Sequence, residues 1–118
     1  MDEVGEQLAG WGKVLRLKAR GRVSGRPAEV AVGYVDEPDG SVLVAAGSPD
    51  ADWARNVDAD PHCRVSMGDE AWWDAIAEPV SGADAQRAVR DLILKYGTPA
   101  ERLGLGPVYR LRRVGAAG

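Results

Sequence analysis

KVLRLKARGRVSGRPAEVAVGYV, residues 13–35, decides how this chain is read. In its first third Leu15, Leu17 and Ala19 alternate with Arg16, Lys18 and Arg20. Apolar residues at a period of two, with a polar opposite face, describe a half-buried strand over 13–20. The last third, AEVAVGYV (28–35), reads as a second strand. GRVSGRP between them holds the glycines and proline of a tight turn, so the two strands form a hairpin. That turn also gathers Arg20, Arg22 and Arg26 in a chain whose formal net charge is -3. Glycine lets backbone approach a ligand, and arginine makes charge-assisted, often bidentate bonds to phosphate. The residues fit a solvated hairpin tip as well as an anion site.

The pattern continues outward from the hairpin. EPDG (37–40) is a turn, and SVLVAA (41–46) is a third strand with apolar residues on both faces. Ser48-Pro49 suits the start of a short helix, with Ser48 as the N-cap and Pro49 in the first turn, ending near residues 58–61. HCRVSM (62–67) and EAWWDAIAEPV (70–80) read as the fourth and fifth strands. Residues 81–97 carry Ala85, Ala88, Val89, Leu92, Ile93 and Tyr96 at helical spacing, with Gly97 placed to cap the end. PVYRLRRV (107–114) is a sixth strand, and residues 2–10 suit a short helix weakened by Gly5 and Gly10. Short strands at regular spacing argue for a barrel or sandwich, with a helix late in the order able to cover a barrel opening.

Length and composition bound what such a barrel can do. A chain of 118 residues is one domain, 1–118, large enough for its own core. Its apolar runs fall short of the roughly 20 residues of a membrane helix, and its acidic N-terminus does not resemble a signal peptide. A single cysteine, Cys63, excludes an internal disulfide and points to the cytoplasm. The acidic balance disfavours nucleic acid as a partner. His62 is the sole histidine, so no metal site is expected. His62 and Cys63 are strand neighbours pointing to opposite faces, which separates them as base and nucleophile; Trp72 and Trp73 are divided in the same way.

Gly21, Arg22, Ser24, Gly25 and Pro27, then Ala45 and Ala46, then Trp53 and Asn56, then Ala59 and Pro61 follow one another in an order that resembles the deazaflavin (F-420)-dependent nitroreductase and quinone reductase family. The resemblance covers residues 13–114 and implies a six-stranded split β-barrel related to proteins that bind flavin mononucleotide. It implies hydride transfer from a deazaflavin to a small quinone, nitro-aromatic or activated alkene. It further implies that Arg22, Ser24, Gly25 and Arg26 sit near the phosphate-bearing tail. Val30, Ala31 and Val32 would lie under the ring, Ala45, Ala46, Gly47 and Ser48 would flank the ring or the tail, and Trp53 and Asn56 would shape the pocket. Tyr34 and Tyr109 are candidate proton donors or substrate contacts, and a homodimer is compatible with the fold. Val23 and Ala28 stand where the family commonly carries basic residues, and GSPDAD lacks the usual lysine. Each charge-assisted bond contributes roughly 1.5–3 kcal/mol, so a weaker grip is expected. Flavin mononucleotide as cofactor, or a non-catalytic ligand-binding barrel, remain the alternatives.

Overall fold

The computed structural model describes residues 14–48, 50–67, 71–96 and 106–114. Alternation in the first strand is realised as β1 (Leu15–Arg20), in which Leu15, Leu17 and Ala19 are buried. It pairs antiparallel with β2 (Pro27–Val32), with Leu17 opposite Val30 and Arg20 opposite Pro27. The expected second strand, 28–35, is in fact broken. It bends at Gly33 and Tyr34 and resumes as β3 (Val35–Asp36), which makes seven strands rather than six. β4 (Val42–Ala45) follows the EPDG turn, where Gly40 adopts φ +91° and its N–H reaches the Glu37 carbonyl at 3.1 Å.

After β4 come α1 (Asp52–Ala59), β5 (His62–Met67), β6 (Trp73–Val80), α2 (Gly82–Tyr96) and β7 (Val108–Arg113). The first helix starts later than the Ser-Pro signal suggests. Ala51 is its cap residue and makes no side-chain cap bond, while the Ser48 hydroxyl accepts the Asp50 N–H at 3.1 Å in a local turn. Pro49, Gly97 and residues 2–10 lie outside the described residues.

Strand order across the sheet is β2-β1-β5-β6-β7-β4-β3, antiparallel throughout. The two edge strands, β2 and β3, are consecutive in the chain and separated only by Gly33 and Tyr34. Seven strands laid flat would set their edges roughly 29 Å apart. A two-residue link allows at most about 11 Å between Val32 and Val35. The sheet must therefore curl to bring the end of β2 to the start of β3, which gives it the shape of a split barrel.

Leu15, Leu17, Val44, Val65, Ala77, Tyr109 and Leu111 fill the interior together with Ala54 and Val57 of α1. The small helix is thus the plug of the barrel, not the later one. α2 instead packs outside, where Ala88, Leu92 and Tyr96 cover Ala31, Leu43, Ala45 and Val108. Full burial of one such leucine contributes about 1.5–3 kcal/mol. The outer edge of α2 is tied down by ions: Glu37, at the β3–β4 turn, lies 3.2 Å from Arg87 of α2 and 3.6 Å from Arg110 of β7. Trp73 packs against the interior cluster, while Trp72 is half-buried with the Lys18 ammonium 4.4 Å above its ring.

Candidate functional site

The arginine turn and the short helix meet at the plugged end of the barrel. Gly25 takes φ +73°, a conformation that favours glycine, and its N–H donates to the Gly21 carbonyl at 2.8 Å. The Gly21 N–H reaches the Arg26 carbonyl at 2.8 Å, and the Arg26 N–H reaches the Ser24 hydroxyl at 3.1 Å. These three amides are used in closing the turn. A ligand arriving here meets side chains rather than a nest of free N–H groups at those positions.

Arg22 carries the junction. Its backbone N–H and its Nη1 both donate to Asn56 Oδ1, at 3.1 and 2.8 Å. Nη1 also approaches the Asp52 carbonyl at 3.4 Å, and Nη2 lies 3.3 Å from Asp52 Oδ1. Asp52 and Asn56 are four residues apart on α1, so one helical face presents both to the turn. Asn56 is buried at 5% exposure, and its oxygen satisfies a donor of the turn that would otherwise lack a partner there. Asp52 lies in the first turn of α1. The signal for its role is its spacing from Asn56.

The other residues singled out from the sequence divide by depth. Ser24, Gly25, Arg26 and Ser48 are exposed, and Val30, Gly47 and Trp53 are half-buried. Ala31 and Ala45 lie beneath α2, whereas Val32 and Ala46 belong to the interior cluster. Arg26 makes no ion pair among the described residues. A Cβ built at Gly47 would meet nothing within 4 Å, so open space stands beside the loop that leads into α1. Gly106 is the opposite case, since a Cβ there would press into the carbonyls of Ala46 and Ser48. Its lack of a side chain keeps that loop against the barrel rim.

The two tyrosines occupy different settings. Tyr109 is 2% exposed, and its hydroxyl donates to Asp58 Oδ1 at 2.8 Å beneath α1. Its ring meets Trp53 edge to face at 5.6 Å. Burial, reinforced by the Asp58 carboxylate, pushes the phenol well above its usual range. Tyr34 is half-buried at the bend between the sheet edges, with its N–H donating to the Tyr96 hydroxyl at 3.0 Å. Lys95 Nζ donates to the Tyr34 carbonyl at 2.7 Å and stands 3.7 Å over its ring. His62 is exposed beside Asp60 at 3.1 Å, and Cys63 is buried, so the two do point apart.

Residues 1–102 match the family model described as F420H(2)-dependent quinone reductase. None of the curated proteins matches the sequence. Among solved structures, a protein of unknown function from Agrobacterium tumefaciens shares 24% identity at a TM-score of 0.74, over 87% of this chain and 49% of its own. This chain therefore spans about half the length of that relative. An F420-H2 dependent reductase, FDR-A, shares 25% identity at a TM-score of 0.71, over 85% of this chain and 94% of its own. The haem storage protein HutZ of Vibrio cholerae shares 20% identity at a TM-score of 0.69, over 92% and 86%. One barrel thus serves different ligands, and its shape alone names none of them.

Proposed function

Because the chain belongs to the F420H(2)-dependent quinone reductase family, we propose that it is an oxidoreductase that binds a reduced deazaflavin coenzyme and passes hydride to a small quinone, nitro-aromatic or activated alkene. The observation that carries this reading is the Arg22 junction. It joins the Gly-Arg turn and the Trp-x-x-Asn helix, two segments of the family pattern some thirty residues apart. The residues present fit an anionic tail there. Arg26 is exposed, and one edge of the Arg22 guanidinium is held only by an exposed carboxylate.

When bound, the coenzyme supplies the hydride chemistry. The chain's own residues hold and orient it. Arg22 and Arg26 take the negatively charged tail, Ser24 and Ser48 offer hydroxyls, and the loop from Ala45 to Ser48 forms a wall whose position Gly106 sets from behind. The plug helix and the interior cluster keep water out of the barrel below. Tyr109, turned inward to Asp58, stabilises α1 rather than facing a ligand at the turn. Tyr34, half-buried at the bend after β2, is the remaining candidate proton donor.

Titration with oxidised deazaflavin coenzyme and, separately, with flavin mononucleotide tests this, with tryptophan fluorescence as the readout. Saturable quenching by the deazaflavin alone, lost in Arg22→Ala, upholds the reading. Selective binding of flavin mononucleotide moves the protein to the second reading, a flavin-binding barrel. The Arg22–Asp52 ion pair favours a third, a ligand-binding barrel without catalysis, because it neutralises an anchor that a phosphate would need. Binding of neither cofactor supports that one.

A further inference from the structure

The Arg22–Asp52 contact has a geometry that separates holding from blocking. Three of the four hydrogen bonds around Arg22 do not involve the Asp52 side chain: backbone N–H to Asn56 Oδ1, Nη1 to Asn56 Oδ1, and Nη1 to the Asp52 carbonyl. Only Nη2 is given to the Asp52 carboxylate. The two partners are also unequally exposed, with the Arg22 side chain at 26% and that of Asp52 at 87%. The arginine is thus fixed in place and the carboxylate is free to leave. An exposed pair of this kind is only weakly favoured over its open form, because water solvates the departing carboxylate well.

We propose that Asp52 is a displaceable counter-ion, occupying the Nη2 edge of Arg22 until the phosphate of the cofactor takes it, while Asn56 keeps the guanidinium aimed at the same point in both states. This rests on the reading of the site given above. It makes Asp52 a specificity-determining residue and Asn56 a positioning residue. A ligand has to offer Arg22 more than a carboxylate does, and a phosphate group does so through its additional acceptor oxygens, where a simple carboxylate exchanges like for like. Removing the Asp52 charge lifts both the competition for Nη2 and the repulsion of an incoming anion. Asparagine at position 52 has nearly the same shape and stays solvent-exposed, so the fold is kept.

Isothermal titration of the wild type, Asp52→Asn and the double variant Arg22→Ala/Asp52→Asn decides the matter. The probes are oxidised deazaflavin coenzyme and inorganic pyrophosphate. Asp52→Asn is expected to bind both about three- to tenfold more tightly than the wild type. The double variant is expected to lose that gain. Equal or weaker binding by Asp52→Asn overturns the proposal, as does a gain that persists without Arg22, which would reflect overall charge alone. If no variant binds the coenzyme, the deazaflavin reading fails. Pyrophosphate then still decides the role of Asp52, because a gain that depends on Arg22 upholds the counter-ion and its absence removes it.

Discussion

Asn56 is the residue on which the candidate site turns. Its Oδ1 accepts two hydrogen bonds from Arg22 while the residue itself is 5% exposed. Asn56→Ala leaves the Arg22 N–H without that acceptor, at a cost of about 1–3 kcal/mol. A lowered denaturation midpoint together with weaker coenzyme binding is the expected result; unchanged stability would show that the bond is not needed. Cys63 makes the opposite kind of prediction. Burial pushes its thiol up to about 12. A thiol-specific reagent at pH 8 should therefore leave the folded protein unmodified and label it on addition of denaturant. Both Arg22 and Asn56 stand out in the sequence, but as contacts to a ligand. That they contact each other is a matter of tertiary distance across thirty-four positions, which no local pattern encodes. The direction of a strand side chain does follow from its parity, which is why the division of His62 from Cys63 and of Trp72 from Trp73 could be read in advance.

At the scale of elements, β1 and α2 were readable because period two and period 3.6 each run through them without interruption. The second strand was not, since AEVAVGYV is apolar enough to suggest continuity and only Gly33 marks the break. The break is imposed from outside. A Cβ at Gly33 would come within 3.0 Å of the Tyr96 ring, and the Tyr96 hydroxyl both accepts from the Tyr34 N–H and donates to the Tyr34 carbonyl, at 3.0 and 3.2 Å. The last residue of α2 thus bolts the bend. Tyr96→Phe keeps the ring and removes the bolt, with an expected loss of about 1–3 kcal/mol and faster amide exchange in β3. Gly106→Ala tests a different joint. Its Cβ would press into the Ala46 carbonyl oxygen, so backbone must shift. A destabilisation of about 1–3 kcal/mol is expected from the overpacking, with weaker ligand binding if the displaced loop is the wall of the site.

For the whole molecule, the barrel was legible in the regular spacing of its short strands, whereas their number and the assignment of the two helices were not. Both helices are amphipathic, and a face alone does not say whether it turns into a barrel or lies against its outside. The interior explains the response to alkali. The Cys63 thiol rises from 9.0 to about 12 and the Tyr96 phenol from 10.0 to about 12, both chiefly through burial. Below about pH 9 neither group ionises in either state, so their full contribution to stability is present. Between pH 9 and 12 the unfolded chain releases protons that the folded chain retains, and the balance moves toward unfolding. Melting temperature should therefore fall steadily above pH 9. Cys63→Ala should flatten the first part of that decline, which a pH series of thermal melts would show.

The two-residue passage at Gly33 and Tyr34 also governs how such a chain reaches its native state. Local hairpins, β1 with β2 and β5 with β6, can form early because their loops are short. The pairings β1 with β5 and β4 with β7 join segments more than forty positions apart, and the chain-closure entropy they demand comes before their reward. Until those late pairings form, the backbone edges that the finished barrel fills with its own strands stand open to neighbouring chains. The late β1–β5 and β4–β7 pairings thus set a kinetic window, and the yield of refolding should fall with protein concentration more steeply than the stability of the finished fold would suggest.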